Sequence, residues 1–369
     1  MKITHVEVFL VLVPLKGTFT TSQSARTHQK SVVIEVHTDT GLSGLGNVDP
    51  SPKYSDETSE EIVSCLKDAL IPIVLQKDPR EIVRRMTDMD REMSGHYHAK
   101  AALEMAFFDL FAKELNVPVY RLLGGPVCEK VPLISSWIGH IPPEEAVKQA
   151  GYWVEKGFQT LKVKVGHNVE ESIERIRVIR EAVGPNINLR VDANEGFTID
   201  EAIKAIKGFT PYNILYCEQP VPRDDWDGMA QVRKAVDVPI MADEGIVGPK
   251  DLILTVEKKA ADIVKVKVMK NGGLYGTGRM IWLAGALGLK CVMGHGFTLG
   301  INSLSEIHLA ASLPNIMMPI ETTGMLKVKE DVISEPIQVK NGCVELSRAP
   351  GFGASLDREK ISKFSVQVK

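Results

Sequence analysis

Eight short β-branched runs recur along the second half of the chain, and each ends on a polar residue. The runs are Val131-Pro-Leu-Ile-Ser, Thr160-Leu-Lys-Val-Lys-Val, Asn188-Leu-Arg-Val-Asp, Ile214-Leu-Tyr-Cys-Glu, Pro239-Ile-Met-Ala-Asp, Ile263-Val-Lys-Val-Lys, Lys290-Cys-Val-Met-Gly-His and Met317-Met-Pro-Ile-Glu. Ser136, Lys164, Asp192, Glu218, Asp243, Lys267, His295 and Glu321 stand at or just past their ends, separated by 28, 28, 26, 25, 24, 28 and 26 residues. Each interval holds one amphipathic helix, so the pattern predicts a parallel α/β sheet, which eight strands satisfy most simply as a closed barrel. The C-terminal strand ends of such a barrel form its active site, so the eight polar groups converge on one pocket.

Asp192, Glu218 and Asp243 occupy three successive strand ends. A lone carboxylate there more often caps a helix, but three together repel unless a cation joins them. All-oxygen ligation favours Mg²⁺, with Mn²⁺ as the substitute. Lys162 and Lys164 share one strand face, and since helices cover the outside of a parallel barrel, that face is the lumen. Lys265 and Lys267 repeat the arrangement on the sixth run. Lys164 and Lys267, on runs two and six, face each other across the barrel and can act as general bases on opposite sides of one carbon. Two bases beside a metal point to abstraction of a proton next to a carboxylate through an enediolate, with return from the other face inverting configuration. Lys265 and Lys270 read as ordinary salt-bridge or solvated charges. His295 and Glu321 are candidates for contact with the substrate, although Glu321 can equally pair with a lysine. Gly272-Gly273 reads as a turn rather than a phosphate nest. No GxGxxG, Walker, GxSxG or HExxH pattern occurs, which argues against dinucleotide, nucleoside-triphosphate, serine-hydrolase and zinc-protease chemistry.

Ahead of the barrel the texture is α+β. Met1 to Leu15 resembles a signal peptide only superficially: Glu7 interrupts it, no cleavage site follows, and its alternation reads as a strand. Ser31–His37 and Leu42–Val48 flank the turn residues Thr38-Asp39-Thr40-Gly41 and predict a hairpin. Helices are expected over Ser55–Val74, Pro79–Met93 and Ala99–Leu115, with a boundary at Gly124–Val127. A net charge of -3 gives no electrostatic footprint for nucleic acid, and no apolar run is long enough to span a bilayer. Five scattered cysteines fit neither a disulfide framework nor a zinc site, so a reducing cytoplasm is the expected compartment.

With Lys162-Val-Lys164, Val191-Asp192-Ala-Asn194, Glu218-Gln-Pro220, Asp243-Glu244 and Lys267-Val-Met-Lys-Asn-Gly-Gly273 in order, nearly the whole chain resembles the enolase superfamily, in its muconate lactonizing enzyme branch. The resemblance implies a capping domain over residues 1–128, a modified TIM barrel of (β/α)7β form over 129–345, and a tail, 346–369, packing back on the cap. It implies Mg²⁺ on Asp192, Glu218 and Asp243, acid/base roles for Lys164 and Lys267, and neutralisation of the enolate by Lys162, with Ser136 and Asn194 also contacting substrate. Specificity would lie in cap loops near Gly17–Lys30 and Asn47–Glu57, where Phe19, Arg26, His28 and Tyr54 are candidates. Mandelate-racemase-like members pair the strand-seven histidine with a strand-six aspartate; here Lys267 stands in its place, favouring lysine-pair chemistry. Dipeptide epimerases carry Asp-x-Asp at strand eight, which Glu321-Thr322-Thr323 does not match. The expected activity is a racemase or epimerase of an amino-acid derivative, an N-acyl amino acid or a cyclic imino acid such as a proline derivative. A cycloisomerase or dehydratase on the same scaffold stays open, a Schiff-base lyase or a catalytically silent binding protein less so. The likeness also implies a homo-oligomer, often an octamer.

Overall fold

The computed structural model describes residues 1–20, 25–51 and 54–367. Three antiparallel strands open the chain: β1 (Ile3–Thr20), β2 (Ala25–Thr38) and β3 (Ser43–Val48), in that spatial order. The predicted hairpin is where the turn residues put it, with the Thr38 hydroxyl donating to the Leu42 carbonyl at 2.8 Å. The segment expected to be a loop from Gly17 to Lys30 is mostly strand. After a register shift β1 and β2 pair again at Phe19↔Arg26, because cross-strand hydrogen bonds satisfy the backbone there; residues 21–24 lie outside the described ones.

The first expected helix is broken. It starts at α1 (Ser59–Cys65), where Thr58 and Glu61 form a reciprocal capping box, widens into a π-turn at Leu66–Leu70, and resumes as α2 (Ile71–Val74). Pro72 has no N–H and its ring crowds the preceding turn, which the wider turn relieves. α3 (Ile82–Glu92) and α4 (Tyr97–Glu114) follow, then the short α5 (Val119–Leu122). α4 is buried nearly all round, as its apolar composition predicted. It lies directly on β3: a Cβ at Gly44 would stand 2.2 Å from the Ala106 carbonyl oxygen and one at Gly46 1.9 Å from that of Ala102. Two residues of strand and four of helix cover nearly the same length, so two glycines meet two successive turns.

β4 (Lys130–Pro132) leads into the barrel, which alternates as α6 (Pro143–Glu155), β5 (Thr160–Lys164), α7 (Val169–Val183), β6 (Asn188–Asp192), α8 (Ile199–Phe209), β7 (Ile214–Glu218) and α9 (Trp226–Ala235). It continues through β8 (Ile240–Ala242), α10 (Pro249–Lys258), β9 (Ile263–Val266), α11 (Leu274–Ala286), β10 (Lys290–Met293) and α12 (Gly300–Ala310) to the one-turn α13 (Gly324–Lys327). β5 to β10 form one parallel sheet in chain order. The first and eighth runs close it through isolated bridges, Ile138↔Val163, Leu133↔Ile320 and Cys291↔Ile316. Seven full crossover helices and a final strand make this the modified barrel that the run spacing implied. Outward residues such as Val163, Val191, Cys217 and Val264 pack under the helices, while Tyr216, Met241, Ile263 and Val292 form a separate apolar floor. That floor shuts the lower lumen and leaves the strand ends as its open mouth. β11 (Cys343–Glu345) pairs with β4, and α14 (Arg358–Phe364) returns to the N-terminal sheet, where Val366 N–H donates to the Leu10 carbonyl at 2.8 Å.

Candidate active site

Strand register decides which charges meet. Lys162 and Lys164 on β5, Arg190 and Asp192 on β6, Tyr216 and Glu218 on β7, and Lys265 on β9 share the inward parity, and Lys267 and Asp243 extend it just past β9 and β8. All are buried. Lys162 Nζ lies 2.6 Å from Glu218 Oε2, 2.7 Å from Glu321 Oε2 and 2.9 Å from Asp192 Oδ2. Burial alone would lower its pKa, but these three carboxylates outweigh it and hold the ammonium well above its ordinary range. Lys265 donates to Glu218 Oε1 at 2.8 Å and to Glu321, so it is the ion-paired lysine the sequence suggested. Glu321, whose other oxygen accepts from the Tyr216 hydroxyl at 3.0 Å, is held well below the usual carboxylate range by Lys162, Lys265 and Arg190 against the opposing effect of burial.

Lys164 and Lys267 sit at the rim. Counting round the eight-membered ring, their strands are four steps apart, which is diametrically opposite. Lys164 donates to Asp192 Oδ2 at 2.6 Å and Asn194 Oδ1 at 2.5 Å, and lies over the Trp137 ring. Lys267 is 2.7 Å from Asp243 Oδ1 and touches the Tyr54 hydroxyl, which itself donates to Asp243 at 2.5 Å. Burial first, then the Lys270 ammonium, pushes Lys267 well below the ordinary lysine value. Lys270 is not solvated: it is buried and donates to the Asp243 and Glu244 carbonyls at 2.7 and 3.1 Å.

The acidic residues fit a hard divalent ion. Asp192 and Glu218 are direct register partners, and Asp243 follows on the next strand. Burial, Asp192 and Glu321 push Glu218 well above the usual range, a strain that a cation between the carboxylates would relieve. Beside them Glu244, pushed up to about 8 by burial and then by Asp243 and Asp192, keeps Oε2 buried without a hydrogen-bond partner among the described residues. Oxygen donors dominate, the set Mg²⁺ prefers.

One cavity is lined by Lys162, Lys164, Asp192, Asn194, Glu218, Asp243, Lys267, His295, Glu321 and Tyr54, bringing together most of the predicted residues. Two fall elsewhere. Ser135, one residue earlier, faces this cavity, whereas Ser136 faces a neighbouring groove, because side chains alternate along the first run. Phe19 also lines that groove and reaches the cavity only through edge contacts with Trp137 and Phe297. His28 is exposed and lines neither. His295 is neutral, held well below its ordinary value by burial and by Lys267 and Arg26; its Nδ1 accepts from the Phe297 N–H at 3.3 Å, and its Nε2 lies 3.3 Å from Ser51 Oγ.

Several lining residues had no signal at sequence level. No motif singles out Trp137 or Phe297, and Ser51 falls within the expected Asn47–Glu57 loop without being singled out itself. Gln219, held at φ 35°, accepts the Asp243 N–H on its side chain at 2.9 Å and so fixes a strand end from the next strand. Arg26 lies 4.1 Å over the Phe297 ring; among the described residues its guanidinium donates only to Gln29 Oε1 at 3.0 Å and Ser51 Oγ at 3.2 Å. Burial lowers its pKa to about 10. Behind the same aromatics Lys327 is buried, 3.7 Å over Trp137, and among the described residues it donates to the Gly296 carbonyl and the Thr323 hydroxyl. The cavity therefore has an ionic floor and an aromatic outer wall that carries Arg26.

Two family patterns match the chain, the mandelate racemase / muconate lactonizing enzyme N-terminal domain over residues 3–124 and the enolase C-terminal domain-like region over 145–360. The N-succinyl-L-Arg/Lys racemase of Bacillus cereus is 32% identical over 99% of this chain and 98% of its own. Its crystal structure superposes with a TM-score of 0.95 over 100% of this chain and 99% of that one. A dipeptide epimerase from Enterococcus faecalis, solved with Mg and the dipeptide L-Leu-L-Tyr, gives 0.92 at 31% identity, covering 96% and 100%. Muconate cycloisomerase 1 of Rhodococcus opacus is 29% identical over 99% of both chains.

Proposed function

Since the chain belongs to the muconate lactonizing enzyme branch of the enolase superfamily and is an isomerase, we propose that it racemises an N-acylated amino acid whose acyl group ends in a second carboxylate. One observation carries the chemistry: two lysines at opposite points of the barrel rim line a single cavity. Lys164 takes the α-proton from one face and Lys267 from the other, each returning a proton to the face it serves. Asp192, Glu218 and Asp243 are the residues that would hold Mg²⁺, or Mn²⁺ with the same oxygen preference, whose charge lowers the cost of electron density moving onto the substrate carboxylate. Lys162, fixed as a cation, faces the same oxygens. Neutral His295, Asn194 and Tyr54 position the substrate, while Glu321 serves it indirectly by holding Lys162 and Lys265.

Arg26 supports the second carboxylate: it is a half-buried guanidinium at the outer wall whose hydrogen-bond partners among the described residues are neutral. Both oxygens of Glu321 are engaged by cations or by Tyr216, which leaves that strand end a poor partner for a substrate ammonium and favours an acylated nitrogen. The N-succinyl substrate in the name of the Bacillus cereus relative has this form. A muconate-type dicarboxylate meets the same Arg26 criterion and is the second reading. On this reading residues 1–128 form a cap, 129–345 the barrel and 346–369 a returning tail, in a cytoplasmic homo-oligomer. Self-association is supported by Tyr275, Arg279 and Trp282, exposed along α11.

The test is α-proton exchange in ²H₂O with N-succinyl amino acids and Mg²⁺. The wild type should exchange both enantiomers, Lys164→Ala should lose one and Lys267→Ala the other. Lactone formation from muconate without α-exchange would replace this reading with the cycloisomerase.

A further inference from the structure

On the outer face of the N-terminal sheet, far along the chain from the barrel rim, four metal-binding side chains stand in a block. His5 pairs with His37 and Glu7 with Glu35 across β1 and β2, and a two-residue spacing puts all four on one face. The imidazoles are stacked, ring centres 4.1 Å apart and planes within 5°. His37 Nε2 is 3.0 Å from Glu7 Oε2 and 3.9 Å from Glu35 Oε2. Ligand atoms of His5, Glu7 and His37 all lie within 4.8 Å of one another. His5 is exposed and Glu7 and His37 half-exposed, so an ion can reach them from solvent.

We infer that His5, Glu7 and His37 form a second metal site, selective for a zinc-class ion rather than for magnesium. Two imidazoles and one carboxylate are a common zinc donor set, and nitrogen donors separate it from the oxygen-rich set in the barrel. Turning the imidazoles out of their stack aims both lone pairs at one ion, and ligand atoms already within 4.8 Å then need little further movement to reach metal–ligand distance. Glu35, itself fixed by the Ser43 hydroxyl at 2.6 Å, faces the same His37 nitrogen from farther away and adds negative charge beside the three ligands. The block already carries a cation: Arg358, the first residue of α14, places its guanidinium 2.9 Å from Glu7 Oε2 and against Glu35. A divalent ion would compete with that arginine for Glu7, so binding is coupled to how the C-terminal helix docks on the sheet.

Cu²⁺ is the probe, added to the full-length protein saturated with Mg²⁺ and read by electron paramagnetic resonance, with Zn²⁺ titration calorimetry alongside. One Cu²⁺ per chain with two-imidazole nitrogen coupling is the expected result. His5→Ala and His37→Ala should each lose that coupling and weaken Zn²⁺ by about tenfold or more, while retained Mg²⁺-dependent turnover shows that they fold. Arg358→Ala, which leaves every ligand in place, should tighten Zn²⁺ binding. Nitrogen coupling that survives both histidine changes, Zn²⁺ affinity indifferent to Arg358→Ala, or Zn²⁺ binding only at millimolar concentration would overturn the site.

Discussion

Lys162, Lys164, Lys265 and Lys267 are chemically identical residues in one cavity, and their surroundings give them different work. Lys162 and Lys265 each touch two or more carboxylates and stay charged. Lys267 is pushed well below 10.5 by burial and by Lys270, which makes an unprotonated amine accessible for proton abstraction. A base must be unprotonated, so exchange from the enantiomer that Lys267 serves should rise with pH and level off well below pH 10.5; a pH–rate profile for each enantiomer separately checks this. Glu321 runs the other way. Its folded pKa is depressed, so the stability it lends is present above its ordinary value of 4.5 and is lost as pH falls toward the lower folded value. Arg26 tests the substrate class. A hydrogen bond to a charged group is worth about 1.5–3 kcal/mol, so Arg26→Ala should cut kcat/KM for N-succinyl amino acids by about 10- to 100-fold and leave N-acetyl substrates nearly unchanged, as steady-state kinetics on the pair would read. Equal losses on both would remove the second carboxylate from the proposal.

Between elements, close approach depends on what is missing from a side chain. Gly46 lets β3 rest on α4, and Gly46→Ala would drive a methyl group to 1.9 Å from the Ala102 carbonyl oxygen. Backbone cannot yield cheaply there, so the substitution should cost about 2–4 kcal/mol, in the range of severe overpacking; urea denaturation against an Ala control at the open Gly17 measures it. The turn at Gly272 and Gly273 shows the same economy. Both have positive φ, 79° and 106°, and the N–H groups they deliver at the start of α11 are taken by Glu104 of α4: Leu274 and Tyr275 each donate to it at 2.7 Å. The motif expected to be a plain turn is thus an anion nest filled from within the chain. It ties the cap helix to the loop that carries Lys267.

For the whole molecule, the barrel mouth concentrates five acids (Asp192, Glu218, Asp243, Glu244 and Glu321) among buried cations, and the cap covers it with Tyr54, Ser51 and Arg26. An ion bound only by the folded state stabilises it by mass action, about 2.7 kcal/mol at a hundredfold excess over Kd. Mg²⁺ should therefore raise the melting temperature, chelator should lower it and abolish turnover, and Glu218→Gln should erase the Mg²⁺ shift; scanning calorimetry reads all three. Spacing alone was enough to imply the barrel and to bring Asp192, Glu218, Asp243, Lys164 and Lys267 to one mouth, because strand parity and one polar residue per repeat are local properties of the sequence. Local pattern also placed the hairpin turn and α4. It could not show that β1 and β2 continue as strand through the expected loop, that Ser135 rather than Ser136 faces the cavity, or that α1 opens into a π-turn before Pro72. Those depend on pairing register and packing. Nor could it pair Arg26 with Phe297, Glu104 with Leu274, or Tyr54 with Asp243, contacts between residues 170 or more positions apart. The sequence therefore determined which chemistry the chain carries. Which substrate it suits depends on how the cap closes over the barrel, and only the tertiary structure, which brings distant charges into one desolvated cavity, decides that.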